Sequence, residues 1–269
     1  MNSKRNSEIL EITYLDNSIM RINLNDPTNL NALSEKMIDL IQKNLDEAAL
    51  NKDVRAIIIS SEGSTFSSGH DLKELKSARK NQDKGKSFFN KIMVKCSKMM
   101  QSIIKNPKPV IAEVGGTATA AGCQLVASCD LAYANKLAKF ATPGVNIGLF
   151  CSTPMVALSR NLSNKHSMEM LLTGELISSD KASKIGLIND VLENDKLKKY
   201  TQNQAIKISK KSSLTLKIGK EAFYNQINMS LSEAYDYASN VMVQNMLKLD
   251  AEEGINAFLE KRAPYWQDK

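Results

Sequence analysis

The chain has 269 residues, of which 42% are hydrophobic and 24% are charged, and its formal net charge is +7. This length allows one large hydrophobic core or two modest domains, and no apolar run approaches the roughly 18 residues that a membrane span needs. The basic residues are scattered and the chain has one tryptophan, so there is no stacking platform for nucleic-acid bases. We interpret the charge as a solvated lysine-rich surface or as an attraction for an anionic small ligand.

The cysteines and histidines show no metal-binding spacing. Cys96, Cys123, Cys129 and Cys151 form no C-x-x-C pair, and the chain has only two histidines. We therefore predict free thiols in a reducing compartment and no metal site. Residues 1–7 are few and polar, unlike a secretory signal, and we predict a cytoplasmic protein.

Strands and helices alternate through the first part of the chain. Residues 9–15 and 19–24 predict a hairpin, and Ser34 is placed to cap a helix with apolar positions at helical spacing. Short apolar runs after charged turns are typical of buried strands. On these grounds we predict further strands at 56–59, 109–114 and 131–134, and helices at 88–104 and 154–162. A turn at Gly115-Gly116 predicts another helix, which follows it and ends at Ser128.

After residue 192 the pattern predicts helices only, at 197–211, 214–227, 231–247 and 251–261. We place a boundary near Asp195. The prediction is an α/β core over residues 1–195 and a helical region over residues 196–269.

Two short segments carry the strongest functional signal. Residues 67–75 read SSGHDLKEL and residues 119–130 read TAAGCQLVASCD. Each has a glycine or small residue where a strand ends and a helix begins, and a helix leaves its first N–H groups unused. Two such groups that converge on one point would hold an oxygen as it gains negative charge.

These segments resemble the enoyl-CoA hydratase/isomerase (crotonase) family, and the resemblance extends from Ile9 to Trp266. The stretches 119–130 and 140–154 are similar to the enoyl-CoA hydratase domain-containing protein 3 type. The resemblance implies an α/β fold, a ββα spiral core with a C-terminal helical region that builds a homotrimer or homohexamer. It also implies an acyl-CoA thioester as substrate, with no cofactor beyond that coenzyme A. The other matching motifs are NAL at 31–33, KPVIA at 108–112, FATP at 140–143, NIG at 146–148, LTG at 172–174 and FLEKR at 258–262.

By the same resemblance, the backbone N–H groups of His70 and Ala121 form an oxyanion hole for a thioester enolate. The residues implied in substrate binding are Ala32, Ser68, His70, Asp71, Leu72, Lys73 and Ala121. Residues 258–266 either contact the coenzyme A phosphates of a neighbouring subunit or end a helix whose Lys261 and Arg262 complement its dipole.

The chain departs from the family where proton transfer is concerned. Hydratases of the family use two glutamates, and the matching positions here are Gln124 and Gly144. A third position, an aspartate in related isomerases, falls near Ser152. None of these side chains exchanges a proton near neutral pH, so ordinary hydration is not expected. Gln124 and Ser152 remain candidate catalytic residues, Gln124 as a group that orients a water or the ligand.

Five side chains near these motifs have a structural interpretation beside a chemical one. We favour the amide of His70 over its ring as the functional group, and we interpret Asp71 as a helix cap and Glu74 as part of a solvated helical face. Cys151 could be a nucleophile only with a nearby base, and we interpret His166 as a surface or packing residue.

Three functions stay open. The first is an acyl-CoA-processing enzyme of the hydratase/isomerase type with altered chemistry, in fatty-acid metabolism. The second is a decarboxylase of malonyl-CoA or methylmalonyl-CoA, because loss of CO₂ generates the enolate without a base. The third is a non-catalytic acyl-CoA-binding protein.

Overall fold

A computed structural model of the chain describes residues 4–6, 9–15 and 18–269. The described strands are β1 (Lys4–Asn6), β2 (Leu10–Leu15), β3 (Ile19–Leu24), β4 (Ala56–Ser61), β5 (Thr65–Ser67), β6 (Val110–Val114), β7 (Thr117–Thr119), β8 (Leu131–Asn135), β9 (Lys139–Ala141), β10 (Ile177–Ser178) and β11 (Asp190–Leu192). The helices are α1 (Glu35–Leu50), α2 (Leu72–Ala78), α3 (Lys86–Lys105), α4 (Ala121–Ser128), α5 (Ser152–Asn161), α6 (Asn164–Thr173), α7 (Ser179–Lys184), α8 (Leu197–Ser209), α9 (Ser213–Gln226), α10 (Leu231–Met246) and α11 (Leu249–Leu259). Short 3-10 helices lie at Pro27–Asn29 and Pro143–Ile147.

The described strands form two sheets. The larger sheet has the order β1-β2-β3-β4-β6-β8-β11, antiparallel from β1 to β3 and parallel from β3 onward. The predicted hairpin is confirmed by the pairing of β2 with β3, and its turn at residues 16–17 lies outside the described residues. The smaller sheet has the order β10-β9-β7-β5.

A repeated unit of two strands and a helix connects the sheets. In the pairs β4–β5, β6–β7 and β8–β9, the first strand joins the larger sheet and the second joins the smaller one. Helices α2 and α4 begin a few residues after β5 and β7, so the N-termini of both helices lie next to the ends of the smaller sheet's strands. The predicted α/β class is confirmed.

Both faces of the larger sheet are covered, which explains its continuous apolar runs. Ile57 and Ile59 of β4 belong to the main core with α1 and α3, whereas Ile58 belongs to a second cluster with residues of α8. Helix α8 therefore packs on the sheet of the first part of the chain. The predicted division near Asp195 stays a prediction, but α8, the first helix of the predicted helical region, packs on the core.

A buried polar cluster attaches α9 to the core. Lys220 donates to Asp130 Oδ2 at 2.6 Å, and its Nζ also donates to the carbonyl oxygens of Ile103 and Lys108. Tyr224 donates to Asp130 Oδ1 at 2.9 Å. Every oxygen and proton of the ion pair thus has a partner, as a buried charge requires.

Candidate active site

Gly69 brings the two segments into contact. Its φ is +88°, and a Cβ atom there would lie 2.9 Å from Ala120 Cβ and 3.0 Å from the backbone nitrogen of Ala121. Thr119 Oγ1 donates to the carbonyl oxygen of Ser68 at 3.1 Å, which fastens the segments together. Only glycine combines this φ with this close approach, so the sequence Ser68-Gly69-His70 places the His70 amide beside the start of α4.

The amide of Ala121 is the first of helix α4. Ala120 before it has φ +50° and ψ −120° and donates to the carbonyl oxygen of Ala141 at 2.9 Å. This unusual backbone turns the chain abruptly from β7 into the helix. Among the described residues, no acceptor is found for the amide of Ala121 or for that of His70. Both predicted N–H groups are therefore available to a ligand.

Two cavities adjoin this region and share part of their lining. A cavity of about 550 Å³ is lined by both segments and by residues 143–154, and a cavity of about 290 Å³ lies on the side of Ala32 and Lys73. The residues common to both linings are Ser68, His70 and Leu72. A wider depression of about 740 Å³ between α1 and α3 contains none of the predicted site residues.

Of the residues predicted to bind substrate, all but Ala121 line the smaller cavity, and Ala121 lines the larger one. The lining of the smaller cavity includes Ala32, Asp71, Leu72 and Lys73, and Lys73 Nζ donates to Asn29 Oδ1 at 3.0 Å. Asp71 caps α2 as predicted, since its Oδ1 accepts from the amides of Lys73 at 2.7 Å and of residue 74 at 3.3 Å.

Glu74 does not lie on a freely solvated helical face. It is half-buried, and its Oε2 accepts a hydrogen bond from the backbone amide of Glu35 at 3.0 Å. The interpretation from the sequence was wrong because the first amides of α1 need an acceptor, and α1 lies too far along the chain for the local pattern to reveal it.

The two candidate catalytic side chains are separated by the fold. Ser152 begins α5, is exposed and lines the larger cavity, and its Oγ donates to the carbonyl oxygen of Phe150 at 3.3 Å. Gln124 is buried within α4 and is not part of that lining. Its Oε1 has no hydrogen-bond partner among the described residues, and its predicted role in orienting a water or the ligand stays a prediction.

Gly144 leaves no space for a carboxylate side chain. A Cβ atom there would lie 2.5 Å from the carbonyl oxygen of Leu149 and 2.9 Å from Cys151 Sγ. The backbone of Leu149 also donates to the Gly144 carbonyl oxygen at 2.9 Å. Atoms of the loop therefore occupy the space beside the position where the family's pattern has its second glutamate.

Cys151 lacks the surroundings of a nucleophile. The thiol is buried, and burial raises its pKa, so it stays protonated. His166 lies on α6, where its Nδ1 is 3.2 Å from Ser163 Oγ. The structure does not pair it with Cys151.

His70 lines both cavities. Its Nε2 is sealed from solvent and has no hydrogen-bond partner among the described residues. Burial lowers the pKa of this imidazole, so the neutral ring predominates at pH 7.

An apolar wall was not predicted from the sequence. The larger cavity is lined by Leu75 of α2, Met93 of α3 and three apolar residues of the loop before α5. Those three side chains are partly exposed, with relative exposures of 58% for Ile147, 48% for Leu149 and 42% for Phe150. The sequence did contain a signal for this wall, because apolar residues that stand together between turn residues often form an exposed apolar patch.

The C-terminal stretch makes contacts within its own chain. Arg262 forms an ion pair with Glu253 at 2.6 Å, and Trp266 Nε1 donates to the carbonyl oxygen of Lys210 at 2.8 Å. Phe258 stays 83% exposed. The contact with a neighbour's coenzyme A remains a prediction.

The described residues contain neither a metal-binding group nor a membrane-spanning helix. No group of three or more His, Cys, Asp or Glu residues there could hold a metal ion. In the same part of the chain, no helix combines the length and the apolar character needed to cross a membrane.

Comparison with known proteins identifies the class. The family model for enoyl-CoA hydratase/isomerase matches residues 15–269, and the chain belongs to this family.

Among its relatives, the chain is 47% identical over 257 residues to the mitochondrial enoyl-CoA hydratase domain-containing protein 3 of Xenopus laevis, covering 96% of this chain and 86% of that protein. The crystal structure of the human enoyl-CoA hydratase domain-containing protein 3 has a TM-score of 0.89 at 44% identity, covering 98% of this chain and 99% of that one. The enoyl-CoA hydratase of Mycobacterium smegmatis has a TM-score of 0.91 at 42% identity, covering 97% and 99%. The predicted family, subgroup and spiral fold are confirmed.

The predicted cytoplasmic location is wrong. The relatives from Xenopus laevis, Rattus norvegicus and Homo sapiens are named as mitochondrial proteins. The prediction failed because it relied on the polar character of residues 1–7. That feature argues against a secretory signal only, since mitochondrial targeting segments are amphipathic and not continuously apolar.

Proposed function

We propose that the chain is an acyl-CoA-processing enzyme in which the backbone amides of His70 and Ala121 hold the thioester oxygen as it becomes an enolate oxygen. One observation carries the proposal: both amides lack an acceptor among the described residues, and both residues line the larger cavity. Fixed amides stabilise a developing negative charge without reorganising during the reaction. Membership of the family supports an acyl-CoA thioester as the substrate.

The two cavities suggest where each part of the substrate binds. In this proposal the coenzyme A arm passes through the smaller cavity, where Ala32, Asp71 and Lys73 lie. The acyl group enters the larger cavity, whose wall is mainly apolar and suits a hydrocarbon. The thioester oxygen then lies at the junction, within reach of both amides.

The proposal does not include ordinary hydration of an enoyl-CoA. A positioned acid or base typically contributes roughly 10²–10⁴-fold in rate. Gln124 and Gly144 supply no carboxylate, and the crowding at Gly144 keeps one out.

Acetoacetyl-CoA tests the amide pair, because its enolate has a characteristic ultraviolet absorption. We expect the enolate band to grow when acetoacetyl-CoA binds to the unsubstituted protein. Ala121→Pro removes one N–H at the first position of the helix, and Ala121→Gly keeps the N–H as the matched control. The band should persist with A121G and disappear with A121P, since losing one such donor costs about 2.7–4 kcal/mol. An undiminished band in a correctly folded A121P variant would contradict the proposal.

Decarboxylation is the second candidate, and the lining of the larger cavity favours it. Among the described residues that line this cavity there is no Asp, Glu, Lys or Arg. A substrate carboxylate there would lose its hydration without gaining an ion pair, which promotes its loss as CO₂. Release of CO₂ from malonyl-CoA or methylmalonyl-CoA is the measurement. Acyl-CoA binding without turnover over a broad thioester panel would instead support a non-catalytic binding protein.

A further inference from the structure

One ionisable side chain borders both cavities. Of the described residues that line the larger cavity, His70 and Cys151 alone carry groups that titrate between acid and alkaline pH, and only His70 also lines the smaller cavity. The Cys151 thiol is held protonated by burial, which raises its pKa. The imidazole is thus the one neutral base available to a ligand at this junction.

The two ring nitrogens of His70 differ in their burial. Nε2 is sealed from solvent, whereas Nδ1 is not among the sealed atoms and has no hydrogen-bond partner among the described residues. Neither nitrogen is tied to an acceptor or donor that would hold the ring in a purely structural role. Nδ1 is therefore the atom that can meet a substrate.

We propose that the imidazole of His70 takes a proton from the α-carbon of the bound acyl thioester and returns it. The inference rests on the enolate-stabilising function proposed above. The Cα–H bond breaks, its electron pair forms the double bond of the enolate, and the thioester oxygen receives the charge between the two amides. The proton moves to Nδ1, and the imidazolium either returns it to carbon or exchanges it with solvent.

The chain geometry supports this assignment. The amide that would hold the oxygen and the ring that would take the proton belong to the same residue. The α-carbon is bonded to the carbonyl carbon, so in this proposal the α-protons lie on the atom next to the carbon whose oxygen the His70 amide holds, and the ring reaches them from the same residue. A general base needs to lie within hydrogen-bond reach of the proton that it removes. In a decarboxylase the same ring, once protonated, would deliver the proton that replaces CO₂.

Deuterium exchange separates the ring from the amide. The purified protein is incubated with butyryl-CoA in D₂O, and incorporation at the α-carbon is followed by mass spectrometry. His70→Ala removes the ring but keeps the backbone N–H, and His70→Asn provides a second variant with a polar side chain. His166→Gln is the matched control, because His166 lies on α6 outside the cavity lining. We expect exchange to slow by roughly 10²–10⁴-fold in both His70 variants and to be unchanged in H166Q.

Acetoacetyl-CoA distinguishes the two proposals. If its enolate band persists in H70A while exchange is lost, the ring is the catalytic base. Exchange that is undiminished in H70A, or absent from the unsubstituted protein although the band forms, overturns the role of the ring and leaves the amide pair standing. Loss of the band in both His70 variants would mean that the ring only shapes the site, and this also overturns the proposal. No band in the unsubstituted protein removes the proposed function itself.

Discussion

Gly69 has a positive φ and also lies close to the start of α4. The effects of these two features on stability and on the site can be measured separately, because Gly148 has only the first of them. Gly69→Ala puts a Cβ at φ +88° within 3.0 Å of the Ala121 nitrogen. Gly148→Ala has the same conformational cost at φ +75°, but its Cβ would meet no atom within 4 Å. We expect G148A to lose about 1–2 kcal/mol of stability and keep the acetoacetyl-CoA enolate band.

In G69A the segments must move apart, so the loss of stability should be larger and the band should vanish. Urea unfolding and the ultraviolet titration are the measurements. Equal behaviour of the two variants would show that the close approach at Gly69 is unimportant to the site.

The buried ring of His70 predicts a pH-dependent stability. Burial lowers its pKa from the ordinary value of 6.5, so below pH 6.5 the unfolded chain binds a proton that the folded chain resists. The free energy of unfolding therefore decreases as the pH falls from 6.5 to the lower pKa of the folded state, and this contribution is intact above that window.

His70→Gln removes the imidazole, and with it this pH-dependent contribution to the free energy of unfolding. The difference in stability between the unsubstituted protein and H70Q should shift in favour of H70Q as the pH is lowered through this window. Urea unfolding at a series of pH values measures it, and parallel curves for the two proteins would refute the argument.

At the scale of an element, α9 depends on one buried ion pair. The side chains of Lys220 and Asp130 are only 9% and 16% exposed. Lys220→Met leaves Asp130 charged and buried without its cation, which typically costs about 3–5 kcal/mol. Lys217→Met on the exposed side of α9 is the control and should change stability by less than about 0.5 kcal/mol. Similar unfolding midpoints for K220M and K217M in urea would contradict the role of the pair.

The sequence predicted elements better than their contacts. The helix predicted at 214–227 is α9 at Ser213–Gln226, because a period of apolar residues is a local property. The partner of Lys220 lies 90 positions earlier in the chain, and no local pattern specifies it. For the same reason, the hydrogen bond of Glu74 to α1 and the packing of α8 on the sheet were not foreseen. The two segments at the site were found because glycine and small residues mark strand-to-helix turns locally.

The features of the site also differ in whether local sequence could predict them. The free amides at His70 and Ala121 follow from turn chemistry that a sequence displays. The burial of Gln124 away from the cavity does not, since it depends on which face of α4 meets the core. The apolar wall at Ile147, Leu149 and Phe150 also depends on how one loop lies against two distant helices.

For the whole molecule, the exposed apolar side chains of the C-terminal helices predict an assembly. Met242 and Met246 on α10 are 60% and 59% exposed, and Phe258 on α11 is 83% exposed. An apolar surface of this extent is typical of a protein interface, and we expect a homotrimer or homohexamer of the 29.8 kDa chain.

Light scattering coupled to size exclusion measures the assembly. The double substitution of Met242 and Met246 by Lys should reduce the mass to that of a smaller species. Leu50→Lys changes a residue that is 86% exposed on α1, and it should leave the mass unaltered. A monomeric unsubstituted protein, or an intact assembly after the double substitution, would contradict the prediction.

The contacts around Gly144 limit what a single substitution could add to the site. The carbonyl oxygen of Leu149 and the sulfur of Cys151 occupy the space that a side chain at this position would enter. A Gly144→Glu substitution would place its side chain against these atoms of the loop. A carboxylate at this position would need the neighbouring loop to move at the same time, so one substitution at residue 144 is not enough to supply a glutamate acid here.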